Sequence, residues 1–68
     1  MEPDEVDRLE AYVRDQLIGR VVDLRLLRRD NGLVLQGSAH SYFAKQLAQH
    51  LVMKVTTTPL LANEIEVL

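Results

Sequence analysis

Two histidines and a short serine-containing run are the residues whose types could support catalysis or metal binding. His40 lies in the run Ser38-Ala39-His40-Ser41, and His50 follows in the next predicted helix. A metal site needs several converging ligands, and neither histidine has a carboxylate at helical spacing. The run lacks the Gly-x-Ser-x-Gly turn of a nucleophile, so turn and helix-cap chemistry explains both serines better. We therefore expect no catalytic residue, no metal and no cofactor, and we predict that the protein is not an enzyme.

The most notable positive charges are Arg20, Arg25, Arg28 and Arg29, all within one predicted strand. With Leu27 between them, Arg25 and Arg29 share the outward side of that strand, while Arg28 lies near its end. Such a patch could bind the phosphates of lipid headgroups or of nucleic acid, or it could contact a protein partner. We favour a simpler interpretation, in which these charges protect an edge strand from aggregation and pair with Glu64 and Glu66 of the last strand.

The bulk composition limits the classes of protein to consider. Residues 1–68 make a single small domain of formal net charge −2 and 47% hydrophobic content, without cysteine. This charge gives no global attraction to nucleic acid, and we expect neither a nucleic-acid partner nor a small-molecule substrate. No apolar run could span a bilayer, and the acidic first residues are unlike a secretory signal. These features favour the cytoplasm if the chain is complete, and leave the periplasm or cell envelope open if it is an excised domain.

The first element that must position these residues is a helix over residues 3–18. Pro3 suits a first helical position, and the carboxylates after it complement the helix dipole. Apolar residues then recur at helical spacing, namely Val6, Leu9, Val13 and Leu17. Gly19 can adopt the left-handed conformation that ends such a helix.

Residues 20–29 change to a period of two, which predicts a strand and, with the strand that follows, a hairpin. Val22, Leu24 and Leu26 would face the core. Asn31-Gly32 would turn the chain into the strand Leu33-Val34-Leu35-Gln36-Gly37, since both turn residues tolerate positive φ. A two-residue loop would place Leu26 opposite Gly37, and a four-residue loop would place it opposite Leu35. Both registers keep the apolar faces on one side, and the pattern does not choose between them.

The second helix is predicted to begin after Ser41 as N-cap and to end at Thr56-Thr57-Thr58-Pro59. Its apolar stripe consists of Phe43, Ala44, Leu47, Ala48, Leu51, Val52 and Val55. The small Ala44 and Ala48 indicate close approach to the sheet or to the first helix.

The last segment alternates Leu61, Ile65 and Val67 with Glu64 and Glu66, which predicts a half-buried strand. The fold class is therefore α+β, in the order α-β-β-α-β, with two helices packed on one face of a three-stranded sheet. Whether the last strand lies beside the first or the second strand stays open. The layout requires the core face of the first strand to point towards Phe43 and Leu47.

In this order the chain resembles a BON domain, a small module of bacterial osmotic-shock and nodulation proteins. The likeness rests on three pieces, and its pattern residues include Leu33, Leu35, Gly37, Ala44, Ala48, Asn63, Ile65 and Val67. The first piece is the opening helix, the second is Leu33–Gly37 with the alanines of the next helix, and the third is Leu61–Val67. The family's usual Gly-Val pair before the last strand is replaced here by Thr56–Leu60. The resemblance implies a non-enzymatic module that attaches to phospholipid surfaces or to other proteins, often in the periplasm.

Our leading hypothesis is an interaction module that binds protein partners or associates with itself. The alternative is binding to a phospholipid surface through the arginine-bearing sheet face. A third reading, RNA binding of the KH type, needs a Gly-x-x-Gly loop, and the three glycines at 19, 32 and 37 are never three residues apart.

Overall fold

The computed structural model describes residues 4–68, in which two helices contact a four-stranded mixed sheet in the predicted α+β order. Helix α1 spans Asp4–Gln16, strand β1 Val21–Arg29, strand β2 Gly32–Ala39 and helix α2 Tyr42–Val55. Two short strands follow, β3 at Leu60–Asn63 and β4 at Glu66–Val67. The predicted helix start at Pro3 lies outside the described residues. The sheet has four strands where three were expected, because the last segment is interrupted between Asn63 and Glu66.

Helix α1 ends close to the predicted residue and by the predicted means. A turn follows Gln16, in which the Arg20 and Val21 amides donate to the Leu17 carbonyl at 2.8 and 3.0 Å. Gly19 has a φ of +84°, a conformation that glycine adopts without steric cost. Val13 and Leu17 are fully buried, and α1 contacts β1, the strand into which this turn leads.

The hairpin turns at Asp30-Asn31, one residue earlier than predicted. Asp30 carries the positive φ of +47°, and Gly32 already belongs to β2. Leu26 lies opposite Leu35, one of the two expected registers, but through a two-residue connection. Gly32 is needed because a Cβ there would lie 2.5 Å from the Leu61 Cγ and 2.7 Å from the Pro59 carbonyl oxygen.

Strand β2 is the centre of the sheet, which answers the question of strand order. β1 pairs with it antiparallel on one side, and β3 and β4 both pair with it in parallel on the other. The Glu64 amide donates to the Leu35 carbonyl at 2.7 Å across the interruption. The two short strands are thus one stretch of chain along one edge of β2.

The core lies between the helices and the face of the sheet that carries Leu24, Leu26, Leu33, Leu35 and Ala39. Helix α2 contributes Ala44, Ala48 and Val52, and Ser41 caps it as predicted by accepting a hydrogen bond from the Ala44 amide at 3.1 Å. Phe43, predicted to face the core, is 65% exposed. The small side chains of α2 face the sheet, which leaves the bulky ring at the margin.

Two further core predictions are wrong for a common reason, an extra residue in a strand. β1 has an irregularity between Val22 and Arg25, where Asp23 has a φ of +55°, so Val21 is buried and Val22 is 44% exposed. β3 has a second irregularity at Leu61, whose side chain is 51% exposed. A bulge reverses the facing of the residues before it relative to those after it. Leu24 and Leu26 do face the core, so the two-layer arrangement holds.

Candidate functional site

The side of the sheet opposite the helices, which we call the open face, carries apolar residues of three strands. They are Val22, Leu27, Val34, Leu61 and Ala62. Leu27, Val34 and Ala62 form one row across three strands, since Val34 pairs with Leu27 on one side and with Ala62 on the other. Val34 is only 2% exposed although it is not part of the core cluster. Its neighbours on the open face therefore shield it. Leu27, Val34 and Ala62 form an apolar patch with the adjacent Leu61, whereas Val22 lies further along β1, beyond Arg25.

The two bulges make this surface larger than the sequence predicted. Val22 reaches the open face because of the extra residue at Asp23, and the Leu61 side chain lies over Gly32. Asp23 fits the polar positions of the alternation and gives no signal of the bulge. The glycine at 37 is an indirect signal: it has a φ of +149° and lies against the bulge, where a Cβ would be 3.1 Å from the Val22 carbonyl oxygen.

Charges of opposite sign lie along the two edges of the open face. Arg25 and Arg29 lie on β1 and are exposed. Glu64 and Glu66 lie along the opposite edge, where the Gln36 amide donates to the Glu64 carboxylate at 3.0 Å. Arg25 pairs with Gln36 in the register, so Arg25, Gln36 and Glu64 form one row across the sheet. The open face is therefore positive along β1 and negative along the last segment.

Arg25 has a partner, but it is not one of the glutamates proposed from the sequence. Its Nε lies 3.7 Å from the Glu10 carboxylate of α1, which also accepts from Arg14 at 2.6 Å. Glu10 further accepts the Leu26 amide at 2.9 Å. That amide points away from β2, so Glu10 occupies a hydrogen-bonding position on the free edge of β1. The sequence predicted that the arginine charges protect this edge; the structure shows a carboxylate of α1 bound to one amide of the edge.

Arg28 lies on the other side of the sheet from Arg25 and Arg29. It pairs with Leu33 in the register, and both line a trough between the two helices. The sequence-predicted set of Arg25, Leu27, Arg28 and Arg29 is thus divided between the two faces of β1. Alternation along a strand dictates this division.

The residues of the family-like pattern have structural positions. Leu33, Leu35, Ala44, Ala48 and Ile65 belong to the core. The Asn63 side chain joins the last segment to α2, since its amide donates to the Lys45 carbonyl at 3.0 Å and to the Gln49 Oε1 at 3.3 Å. Its oxygen accepts the Ile65 amide at 3.1 Å, which bridges the interruption between β3 and β4.

Val67, the last residue of the pattern, pairs with Ala39 and is 41% exposed.

The residues first considered for catalysis are dispersed. Ser41 caps α2, Ser38 lies between Val22 and Glu66 in the sheet, and His40 and His50 are exposed. Within the part of the chain that the structure describes, no three His, Asp or Glu side chains are grouped to hold a metal ion. No described helix combines the length and hydrophobicity of a membrane span.

Comparison with known proteins adds no relative: no family model, curated protein or solved structure matches this chain. The likeness to BON domains therefore rests on the residues quoted above.

Proposed function

We propose that this protein is a non-enzymatic interaction module and that its open face binds a second copy of the same chain. The observation that carries the proposal is an uncovered apolar patch on a sheet face that is positive along β1 and negative along the last segment. A surface of this kind is complementary to itself. The resemblance to BON domains, which attach to proteins or lipid surfaces, supports the same class of function.

The charge pattern selects one geometry for the pair. Two open faces can pack face to face about a two-fold axis that runs either along or across the strands. An axis across the strands would place β1 over the partner's β1, with arginine against arginine. An axis along the strands places β1 over the partner's last segment and brings Arg25 over the partner's Glu64, because both lie in one row. The second geometry is electrostatically favoured.

The size of the open face predicts a weak dimer. Three strands about 4.8 Å apart and about eight residues long cover about 370 Å² per copy, or about 750 Å² in the pair. Stable interfaces bury about 1,200 Å² or more. We expect an association that depends on protein concentration and is populated only at high concentration.

Sedimentation velocity over a range of protein concentrations tests this proposal. The average mass should rise with concentration for the unsubstituted chain and stay at the monomer value for Leu61→Ser. Phe43→Ser is the matched control, because it removes an apolar side chain outside the open face that is 65% exposed, against 51% for Leu61, and it should leave association intact. A monomer at every concentration, or equal behaviour of the two variants, would refute the proposal.

A charge exchange tests the geometry of the pair. Arg25→Glu alone and Glu64→Arg alone place like charges opposite each other and should weaken association, whereas the double variant should restore it. Failure of the double variant to recover, with thermal unfolding unchanged, would exclude the axis along the strands.

Binding of a phospholipid surface is the second candidate, because Arg25 and Arg29 are exposed on the same face. Glu64 and Glu66 on that face would weaken attraction to an anionic membrane, so we rank this candidate lower. Co-sedimentation with anionic vesicles at low salt, lost at high salt, would favour it over apolar contact with a second copy.

A further inference from the structure

A trough of about 790 Å³ lies on the helix side of the sheet, away from the open face. It is formed by the first half of α1, the last turn of α2 and the hairpin end of the sheet. Its apolar lining consists of Val6, Leu9, Tyr12, Leu33, Met53 and Val55. Tyr12, Met53 and Val55 are each about half exposed, so this lining is accessible from solvent.

The charges that line the trough are mostly positive, although the chain as a whole is negative. Arg8, Arg28 and Lys54 come from three different elements, and Glu5 is the opposing carboxylate. None of these three cations forms an ion pair with a side chain that the structure describes. The C-terminal end of α2 also lies here, but its dipole carries only about half a negative charge, whereas the three cations each carry a full positive charge.

We propose that the trough binds an acidic peptide segment of a partner protein, with apolar side chains of the segment on the lining and its carboxylates at Arg8, Arg28 and Lys54. Charge complementarity identifies the occupant as anionic, and the apolar lining requires an amphipathic one. The trough is open to solvent, so a small anion would leave most of its own surface in water, whereas a peptide segment would cover the lining. Tyrosine and methionine are typical of surfaces that bind protein. This site is independent of the open face.

An NMR titration with two synthetic peptides tests this assignment. Both carry leucines at helical spacing, one with glutamates and the other with lysines at the remaining positions. The acidic peptide should shift amide resonances of Val6, Leu9, Tyr12 and Met53, and its affinity should fall as salt is raised. The basic peptide should bind at least about tenfold more weakly.

A charge-reversed variant and a matched control locate the binding. Arg28→Glu should weaken the acidic peptide about tenfold, because it replaces an attraction by a repulsion. Arg20→Glu makes the same change in net charge at an exposed residue after α1 that does not line the trough, and it should have little effect. Lys54→Gln provides a milder second variant, and circular dichroism verifies that each variant is folded.

Three outcomes of the peptide titrations would overturn the proposal. They are equal binding of the two peptides, equal effects of Arg28→Glu and Arg20→Glu, and shifts confined to residues of the open face. Binding of anionic vesicles that Arg28→Glu abolishes, without binding of the acidic peptide, would assign the trough to lipid and would also overturn it. Because Leu61→Ser leaves the trough intact, loss of self-association does not affect this test.

Discussion

Replacing Asn63 by alanine should be among the most damaging single changes at a partly exposed residue of this protein. The side chain makes three hydrogen bonds, to the Lys45 carbonyl, to Gln49 and from the Ile65 amide. It is the polar connection between the last segment and α2, and it spans the break between β3 and β4. Ile65 is 1% exposed, so its amide lies beside the core.

The magnitude follows from what each bond contributes. A hydrogen bond gives about 1 kcal/mol net, and an amide left without a partner beside the core costs about 1–3 kcal/mol. The bond to Gln49, at 3.3 Å and partly exposed, contributes least. We expect Asn63→Ala to lower the free energy of unfolding by about 2–3 kcal/mol. A domain of this size has about 3–10 kcal/mol in total, so the melting temperature should fall by about 10–20 °C.

Thermal and urea unfolding followed by circular dichroism measure this loss. Gln49→Ala is the control, since it removes the longest of the three bonds and otherwise only an exposed contact of the Gln49 amide with the Met53 sulfur at 3.9 Å, and it should cost less than about 1 kcal/mol. Asn63→Asp keeps the acceptor for Ile65 but turns a carboxylate towards the Lys45 carbonyl. The loss of unfolding free energy caused by Asn63→Asp, measured against the unsubstituted chain at the same pH, should therefore be smaller near pH 3 than at neutral pH. About half or more of such carboxyls are protonated at pH 3. A loss below about 0.5 kcal/mol for Asn63→Ala would refute the role assigned to this side chain.

Two further predictions concern the edge of β1 and its bulge. Glu10→Ala should lower the free energy of unfolding, measured in urea, by about 1–2 kcal/mol, because the Leu26 amide loses its acceptor. Glu10→Gln keeps an oxygen there and should lower it less. Equal losses for the two variants would contradict the role of Glu10 at the strand edge. Gly37→Ala should lower the free energy of unfolding more than Gly19→Ala in the same assay. Both glycines have positive φ, but a Cβ at 37 would lie 3.1 Å from the Val22 carbonyl oxygen, whereas one at 19 would meet nothing within 4 Å. The reverse order would show that the bulge is not tightly packed.

The sequence was most informative where local chemistry decides the structure. Ser41 as the cap of α2 and Gly19 as the end of α1 were predicted because each acts within its own turn of chain. The α+β order was predicted from changes of period alone. The hairpin was predicted with two possible registers, and the observed pairing of Leu26 with Leu35 is one of them.

The errors in which side chains face the core concern residues whose environment depends on a neighbour in space. Val22 and Leu61 fit a strict alternation, and only the fit of β1 and β3 against β2 introduces the extra residues that turn them outward. Phe43 fits the apolar stripe of α2, but close contact through Ala44 and Ala48 rotates the ring to the margin. Edge protection by Glu10 could not be predicted, because α1 and the middle of β1 meet only in the folded chain.

The sequence by itself determined the elements, their order and the side of each strand that faces the core in its regular parts. The hydrophobic period and the helix caps depend on residues that are a few positions apart, so a single sequence is enough to recognise them. The tertiary structure decided which charges act together: it placed Glu64 in one row with Arg25, and it joined Arg28 to Arg8 and Lys54 around the trough. These groupings depend on strand order and on how the helices pack, and both are set by contacts between residues far apart in the chain.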